Sequence, residues 1–368
     1  MNRLFILLKP SSSLCNMHCK YCFYEDIANI REIKSYGFMS EETMFNIIDK
    51  SFEVVKNGII HFAFQGGEPT LIGINYFHSF IEYVKQKNIN NVNVSYSIQT
   101  NGFCIDDEWA KLFFNNQFLV GLSFDILKDI HNNYRTKDSK GTYDIVLNAK
   151  NLFDKYNVEY NILTVLTSKL SNYAKEVYES IKANNIKYIQ FIPCLSDLNS
   201  NNKYDDFSIK PKEFANFYNT IFPMWENDIL KGDYVSISFF DNIAELLAGY
   251  PATVCGMNGI CNNHLVIEGN GNVYPCDFYC IDKYYSGNIN TDSIMDIIAN
   301  QKRIGFISQE KKVNNKCKTC KFNRLCNGGC KRMYNNIYID NDNFCGMENF
   351  LDKNINSIIK ILKLKNIL

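Results

Sequence analysis

The chain has 368 residues, 46% hydrophobic and 14% aromatic, enough for one large domain and a smaller one. Thirty-nine Lys and Arg balance thirty-nine Asp and Glu, so no excess positive charge points to nucleic acid or an anionic membrane surface. The apolar run Leu4–Leu8 is too short for a signal sequence or a membrane span. Fourteen cysteines without a secretory signal then imply a reducing cytoplasm, where thiols bind metal or do redox work.

In chain order, apolar strand candidates fall at Leu4–Lys9, Ile59–Gln65, Val92–Gln99, Phe118–Phe124, Val158–Thr167 and Tyr188–Pro193. Amphipathic helix candidates lie between and after them, at Ser40–Val55, Tyr76–Gln86, Asp106–Asn115, Tyr143–Lys155, Ser171–Ala183 and Pro211–Leu230. Six β-then-α units predict an α/β fold, a parallel sheet curved into a partial (β/α)6 barrel, with function at the strand C-termini. The Asn-rich stretch Ser196–Asp206 reads as a surface loop, and a strand and short helix near Ser236–Tyr250 lead into a second domain. From Cys255 onward the texture is cysteine-rich. Val266–Tyr274 contains a Gly/Asn turn that predicts a β-hairpin, and Glu348–Leu368 has helical periodicity. The expected division is residues 1–234 and 235–368.

Cys15, Cys19 and Cys22 stand on one short loop with no fourth thiol nearby. A cubane iron–sulfur cluster takes one thiolate per iron, so three leave an iron open for chemistry. Zinc or a disulfide knot is the plainer alternative. The C-x3-C-x2-C spacing, with an aromatic residue before the last cysteine, resembles the cluster loop of radical S-adenosylmethionine (radical SAM) enzymes. Gln65-Gly66-Gly67-Glu68-Pro69, at the end of the second strand, is similar to that family's Gly-Gly-Glu-Pro motif. The resemblance implies that Gly67 lies beside the methionine ammonium and that Ser123 and Arg135 receive its carboxylate. It also implies that Tyr21 and Leu195 flank the adenosine. Read without it, Ser123 is a helix cap, Arg135 a surface ion pair and Leu195 core. The family often carries glycine where this chain has Ile126.

Cys255, Cys261, Cys276, Cys317, Cys320, Cys326, Cys330 and Cys345 form the second group, enough for two four-thiolate sites. Zinc suits the C-x2-C spacing as well. The layout resembles the SPASM extension of peptide-modifying radical SAM enzymes, which implies two auxiliary 4Fe–4S clusters. One would take Cys255, Cys261, Cys276 and Cys330, the other Cys317, Cys320, Cys326 and Cys345. Cys104 and Cys194 read as buried thiols, whereas Cys280, four residues beyond Cys276, is an alternative ligand.

Leu8-Lys9-Pro10, Cys22-Phe23-Tyr24, Lys34-Ser35-Tyr36-Gly37, Phe62–Thr70 and Tyr274–Tyr279 together resemble the anaerobic sulfatase-maturating enzymes. That family oxidises a cysteine or serine of a sulfatase to Cα-formylglycine, using S-adenosylmethionine and three 4Fe–4S clusters. The resemblance implies a sulfatase polypeptide as partner and an electron donor such as flavodoxin or ferredoxin, while the charge balance points to neither nucleic acid nor membrane. It makes Asp277 the catalytic base. On residues alone Asp277 is equally a turn-capping carboxylate beside Cys276. The alternative activity is crosslinking of a short ribosomal peptide. Only fourteen residues precede Cys15, so a leader-recognition domain of the kind many such enzymes carry is not expected.

Overall fold

A computed structural model describes residues 1–199, 205–262, 264–309 and 314–365. Its strands are β1 Arg3–Leu8, β2 His18–Cys19, β3 Ile59–Phe64, β4 Asn93–Thr100, β5 Phe118–Ser123, β6 Arg135–Lys137, β7 Lys140–Gly141, β8 Tyr160–Leu166, β9 Tyr188–Pro193, β10 Ser236–Ile237, β11 Leu265–Ile267 and β12 Val273–Tyr274. All six predicted strands and all six predicted helices form, and the fold is α/β with a mostly parallel sheet. The chain divides into two compact units. One comprises Met1–Ser123, Arg135–Tyr160 and Asn262–Gln309. The other comprises Phe124–Tyr134, Asn161–Cys261 and Glu310–Leu368.

In the first unit the sheet runs β5-β4-β3-β1-β11-β12, parallel except for the closing hairpin β11–β12. The reason for β1 is its alternation: Leu4, Ile6 and Leu8 are buried while Arg3 and Phe5 are exposed. Phe62 and Phe64 of β3 meet Phe80 of the helix Ile74–Lys87, Phe64 also meets Phe77, and Phe113 packs on Phe118. Each such ring, fully buried, contributes roughly 1.5–3 kcal/mol, so this aromatic layer is a large part of the core of the unit. Ser40 and Asp106 cap the two helices that begin after them, accepting from Thr43 N and from Glu108 and Trp109 N. The predicted hairpin does more than close on itself: β11 adds to the edge of β1, with Leu8 opposite Ile267.

In the second unit β10, β9 and β8 are parallel neighbours. The C-terminal helix Gly346–Leu364 packs on the helix Pro211–Leu230, and Phe350 meets Phe222, Phe239 and Phe240. Of the predicted loop Ser196–Asp206, residues Ser200–Tyr204 lie outside the described residues. Among the described residues no helix is long and apolar enough to cross a membrane.

Candidate active site

In the first unit the ends of β1, β3, β4 and β5 are adjacent, so the segments that follow them share one edge of the sheet. The cluster loop follows β1 and is fastened to the Gly-Gly-Glu-Pro segment through backbone. Gly67 N donates to Ser12 O at 2.8 Å, and Glu68 N to Leu14 O at 2.8 Å. The glycines also have a local reason. A Cβ at Gly67 would lie 2.1 Å from Leu14 O, and Gly66, at φ +125°, faces Ser12 O. Their bareness lets the cluster loop approach.

Glu68 is fully buried and gathers this edge together. Its Oε1 accepts from Thr70 N (3.1 Å), Thr70 Oγ1 (2.6 Å) and Thr100 Oγ1 (2.7 Å), and its Oε2 from Asn101 N (2.7 Å). Burial pushes the carboxyl above its usual range, while those four donors pull against the shift. Asn101 in turn donates to Asn16 Oδ1 at 2.8 Å and to Cys15 Sγ at 3.7 Å.

The three loop cysteines each receive an N–H donor. Met17 N reaches Cys15 Sγ at 3.4 Å, Arg135 Nη1 reaches Cys19 Sγ at 3.7 Å, and Glu25 N reaches Cys22 Sγ at 3.4 Å. Arg135 arrives there through a small antiparallel sheet, β2-β6-β7, in which it pairs directly with Cys19. Its guanidinium lies 5.4 Å from the Tyr21 ring centroid. Cys22 caps the helix Phe23–Ile30 through its sulfur, where the helix dipole favours negative charge. Donors converging on three sulfurs suit thiolates that ligate a cluster, because N–H groups stabilise sulfur-borne charge and tune cluster potentials. Ser123 ends β5 half-buried, and Ile126 is buried without a positive φ. Leu195, half-buried, belongs to the second unit, two residues past β9.

A buried charge cluster lies against this loop, and it was not anticipated. Lys9 and Glu268 follow the paired ends of β1 and β11, and both are fully buried. Glu268 accepts from Arg31 Nη1 at 2.7 Å, from Ser12 Oγ at 3.0 Å, and from the Tyr24 hydroxyl. Lys9 Nζ lies 2.5 Å from Asp277 Oδ1 and 3.5 Å from the Tyr24 ring centroid. Burial works against the Lys9 ammonium, yet its anionic neighbours, Asp277 foremost, hold its pKa above the ordinary lysine value. The single-turn helix Asp277–Tyr279 is held to the helix after Cys22 by Phe23 on Phe278, with ring centroids 4.9 Å apart. Asp277 is therefore brought to the cluster loop, with its side chain one-fifth exposed. A signal was present in sequence: Lys9 and Glu268 are each a charge that directly follows an apolar run, Leu4–Leu8 and Leu265–Ile267.

In the second unit Cys317, Cys320, Cys326 and Cys345 line one cleft with Phe322, Tyr338 and Met347. Cys345 caps the last helix, its sulfur accepting from Glu348 N at 3.4 Å, and burial pushes its thiol up to about 12. Gly256, next to Cys255, packs on Cys330, where an added Cβ would lie 2.7 Å from the Cys330 Cβ. Cys255 has the Cys330 and Cys261 thiols as neighbours. Cys276 belongs to the first unit. Cys280 is fully buried among Tyr24, Ile27, Val266 and Tyr274, with its sulfur 3.5 Å from Cys276 O. It is a core thiol, not a sulfur facing a ligand site. None of the fourteen cysteines is joined in a disulfide. Among the described residues no three Cys, His, Asp or Glu side chains gather as a single metal ion requires. A cubane spreads its thiolates over four irons and needs no such convergence.

A radical SAM superfamily model matches residues 10–181, and an iron–sulfur cluster-binding SPASM model matches residues 255–321. Both imply 4Fe–4S clusters, and the first implies S-adenosylmethionine. A cysteine-type anaerobic sulfatase-maturating enzyme of Clostridium novyi is 40% identical over 99% of this chain and 98% of its own length. A serine-type enzyme of Bacteroides thetaiotaomicron is 28% identical over 89% of this chain and 83% of its own. The solved structure of native anSMEcpe with bound AdoMet and Cp18Cys peptide superposes with a TM-score of 0.90 at 38% identity, covering 98% of this chain and 99% of that one. With such identity running the full length of both chains, this chain belongs to the anaerobic sulfatase-maturating enzymes of the radical SAM superfamily.

Proposed function

We propose that the chain oxidises a cysteine in an unfolded or nascent sulfatase segment to Cα-formylglycine, in the cytoplasm of an anaerobic cell. The observation that carries this reading is the meeting of the three-thiolate loop with Asp277 through Lys9, Tyr24 and the Phe23–Phe278 contact. Cysteine is preferred to serine because identity to the cysteine-type relative, 40%, exceeds the 28% to the serine-type one.

When bound, the cofactors supply one-electron cleavage of S-adenosylmethionine to a hydrogen-abstracting 5′-deoxyadenosyl radical, and auxiliary clusters able to take an electron. Cys15, Cys19 and Cys22 hold the open-iron cluster. Gly67, Ser123, Arg135, Tyr21 and Leu195 are the residues assigned to S-adenosylmethionine. The Arg135 fork is suited to its carboxylate. Cys255, Cys261, Cys276 and Cys330 are assigned to one auxiliary cluster, and Cys317, Cys320, Cys326 and Cys345 to the other. Residues 1–234 then carry the S-adenosylmethionine chemistry and 235–368 the auxiliary clusters, a division supported by the two matched ranges. An electron carrier such as flavodoxin or ferredoxin is the partner this redox chemistry calls for.

Asp277 accepts the thiol proton. The substrate cysteine loses one Cβ hydrogen atom, one proton and one electron, leaving a thioaldehyde that water converts to the aldehyde and hydrogen sulfide. Competition between otherwise identical cysteine and serine peptides tests the substrate assignment. The cysteine peptide is expected to be converted at least tenfold faster, and faster conversion of the serine peptide would reverse it.

A further inference from the structure

Four charged side chains are packed beside the cluster loop, and their contacts sort them into two pairs. Arg31 and Tyr24 take Glu268 Oε1, and Ser12 takes Oε2, so Glu268 has its own cation and its own donors. Lys9 is left with Asp277, the one carboxylate within ion-pair distance of its ammonium among the described residues. A fully buried ammonium needs a paired anion to remain charged. The side chain has little freedom to leave. Its Cβ and Cγ run beneath Gly66, where an added Cβ would lie 3.2 and 3.4 Å away, and its head sits over the Tyr24 ring. Its backbone N donates to Ile267 O at 2.8 Å, tying it to the strand that leads to Glu268. Asp277, by contrast, stands on a single turn of helix and is partly exposed. The rigid partner is Lys9 and the aimed one is Asp277.

We propose that Lys9 is a positioning residue for the oxidation step: it holds the Asp277 carboxylate at the cluster loop, where the substrate thiol must lose its proton. The inference rests on Asp277 being the base. Lys9 touches no reacting atom; it acts through the carboxylate it fixes. The Gly-Gly-Glu-Pro segment and the base are then held by one side chain, since Lys9 passes under Gly66 to reach Asp277.

The test uses the full chain reconstituted anaerobically with iron and sulfide, a cysteine peptide and S-adenosylmethionine. The readout is the ratio of formylglycine to 5′-deoxyadenosine, per iron-loaded chain. A merely structural defect lowers both products together, whereas a misplaced base lowers the ratio. Lys9→Met is expected to lower the ratio at least tenfold, and Lys9→Met combined with Asp277→Asn is expected to be no worse than Asp277→Asn alone. If Lys9→Met does not load iron, the same ratio is read on Lys9→Gln. A parental ratio in the Lys9 variant beside a defective Asp277→Asn overturns the role of Lys9 and leaves the base in place. A parental ratio in Asp277→Asn overturns the base itself, and the role of Lys9 with it.

Discussion

Asp277→Asn is expected to keep cleaving S-adenosylmethionine while its formylglycine yield falls by about 10²–10⁴-fold, the range that a positioned general base contributes. Asparagine keeps the shape of the side chain and cannot take a proton. Removing the charge also leaves Lys9 buried without an anion, so a loss of thermal stability is expected alongside the uncoupling. The reason for uncoupling is spatial. Within the first unit the S-adenosylmethionine assignments fall on the loop after β1, the segment after β3, the end of β5 and the start of β6, whereas Asp277 comes from the turn after β12. Mass analysis of the peptide with quantification of 5′-deoxyadenosine checks this. Full aldehyde yield from the variant would remove Asp277 from the mechanism.

Glu68→Ala is expected to be the more damaging change to the site as a whole. It strips the acceptor from the buried N–H groups of Thr70 and Asn101 and from two hydroxyls. An unsatisfied buried donor costs about 1–3 kcal/mol, so the two N–H groups alone put the loss at about 2–6 kcal/mol. Asn101 would also drift from Cys15 and Asn16, loosening the cluster loop. The expected result is a lower urea midpoint and an iron content reduced by the share of the N-terminal cluster. A parental midpoint with parental iron would contradict the role given to Glu68. Glu68→Gln, which keeps the volume and one acceptor oxygen, is expected to fall between the two.

The main strands and helices were legible because their apolar residues repeat at the period of the element they form, as in β1 and in the helix Pro211–Leu230. The helix Phe23–Ile30 was not, because it is two turns long and its cap is the Cys22 sulfur, outside the usual set of capping residues. Nor was the sheet β2-β6-β7, whose strands of two or three residues carry no alternation and exist because Cys19 and Arg135 are drawn together. The cysteine spacing suggested which thiols to group, and Cys317, Cys320, Cys326 and Cys345 do line one cleft. It did not disclose what surrounds them. Burial of Glu68, Lys9 and Glu268 depends on distant chain segments, Ser12 and Glu268 being 256 residues apart and Lys9 and Asp277 further still, and only their meeting makes those charges partners. Cys280 shows the same limit: its spacing from Cys276 suggested a ligand, while its side chain turns into the core.

The most direct test of the central claim uses a sulfatase-derived cysteine peptide deuterated at Cβ, incubated anaerobically with the reconstituted protein, a reductant and S-adenosylmethionine. Deuterium is expected to appear in 5′-deoxyadenosine as the peptide gains its aldehyde, in step and in comparable amount. Unlabelled 5′-deoxyadenosine accumulating beside an unaltered peptide would show that the radical forms but does not act on this residue, contradicting formylglycine formation as the activity of the chain.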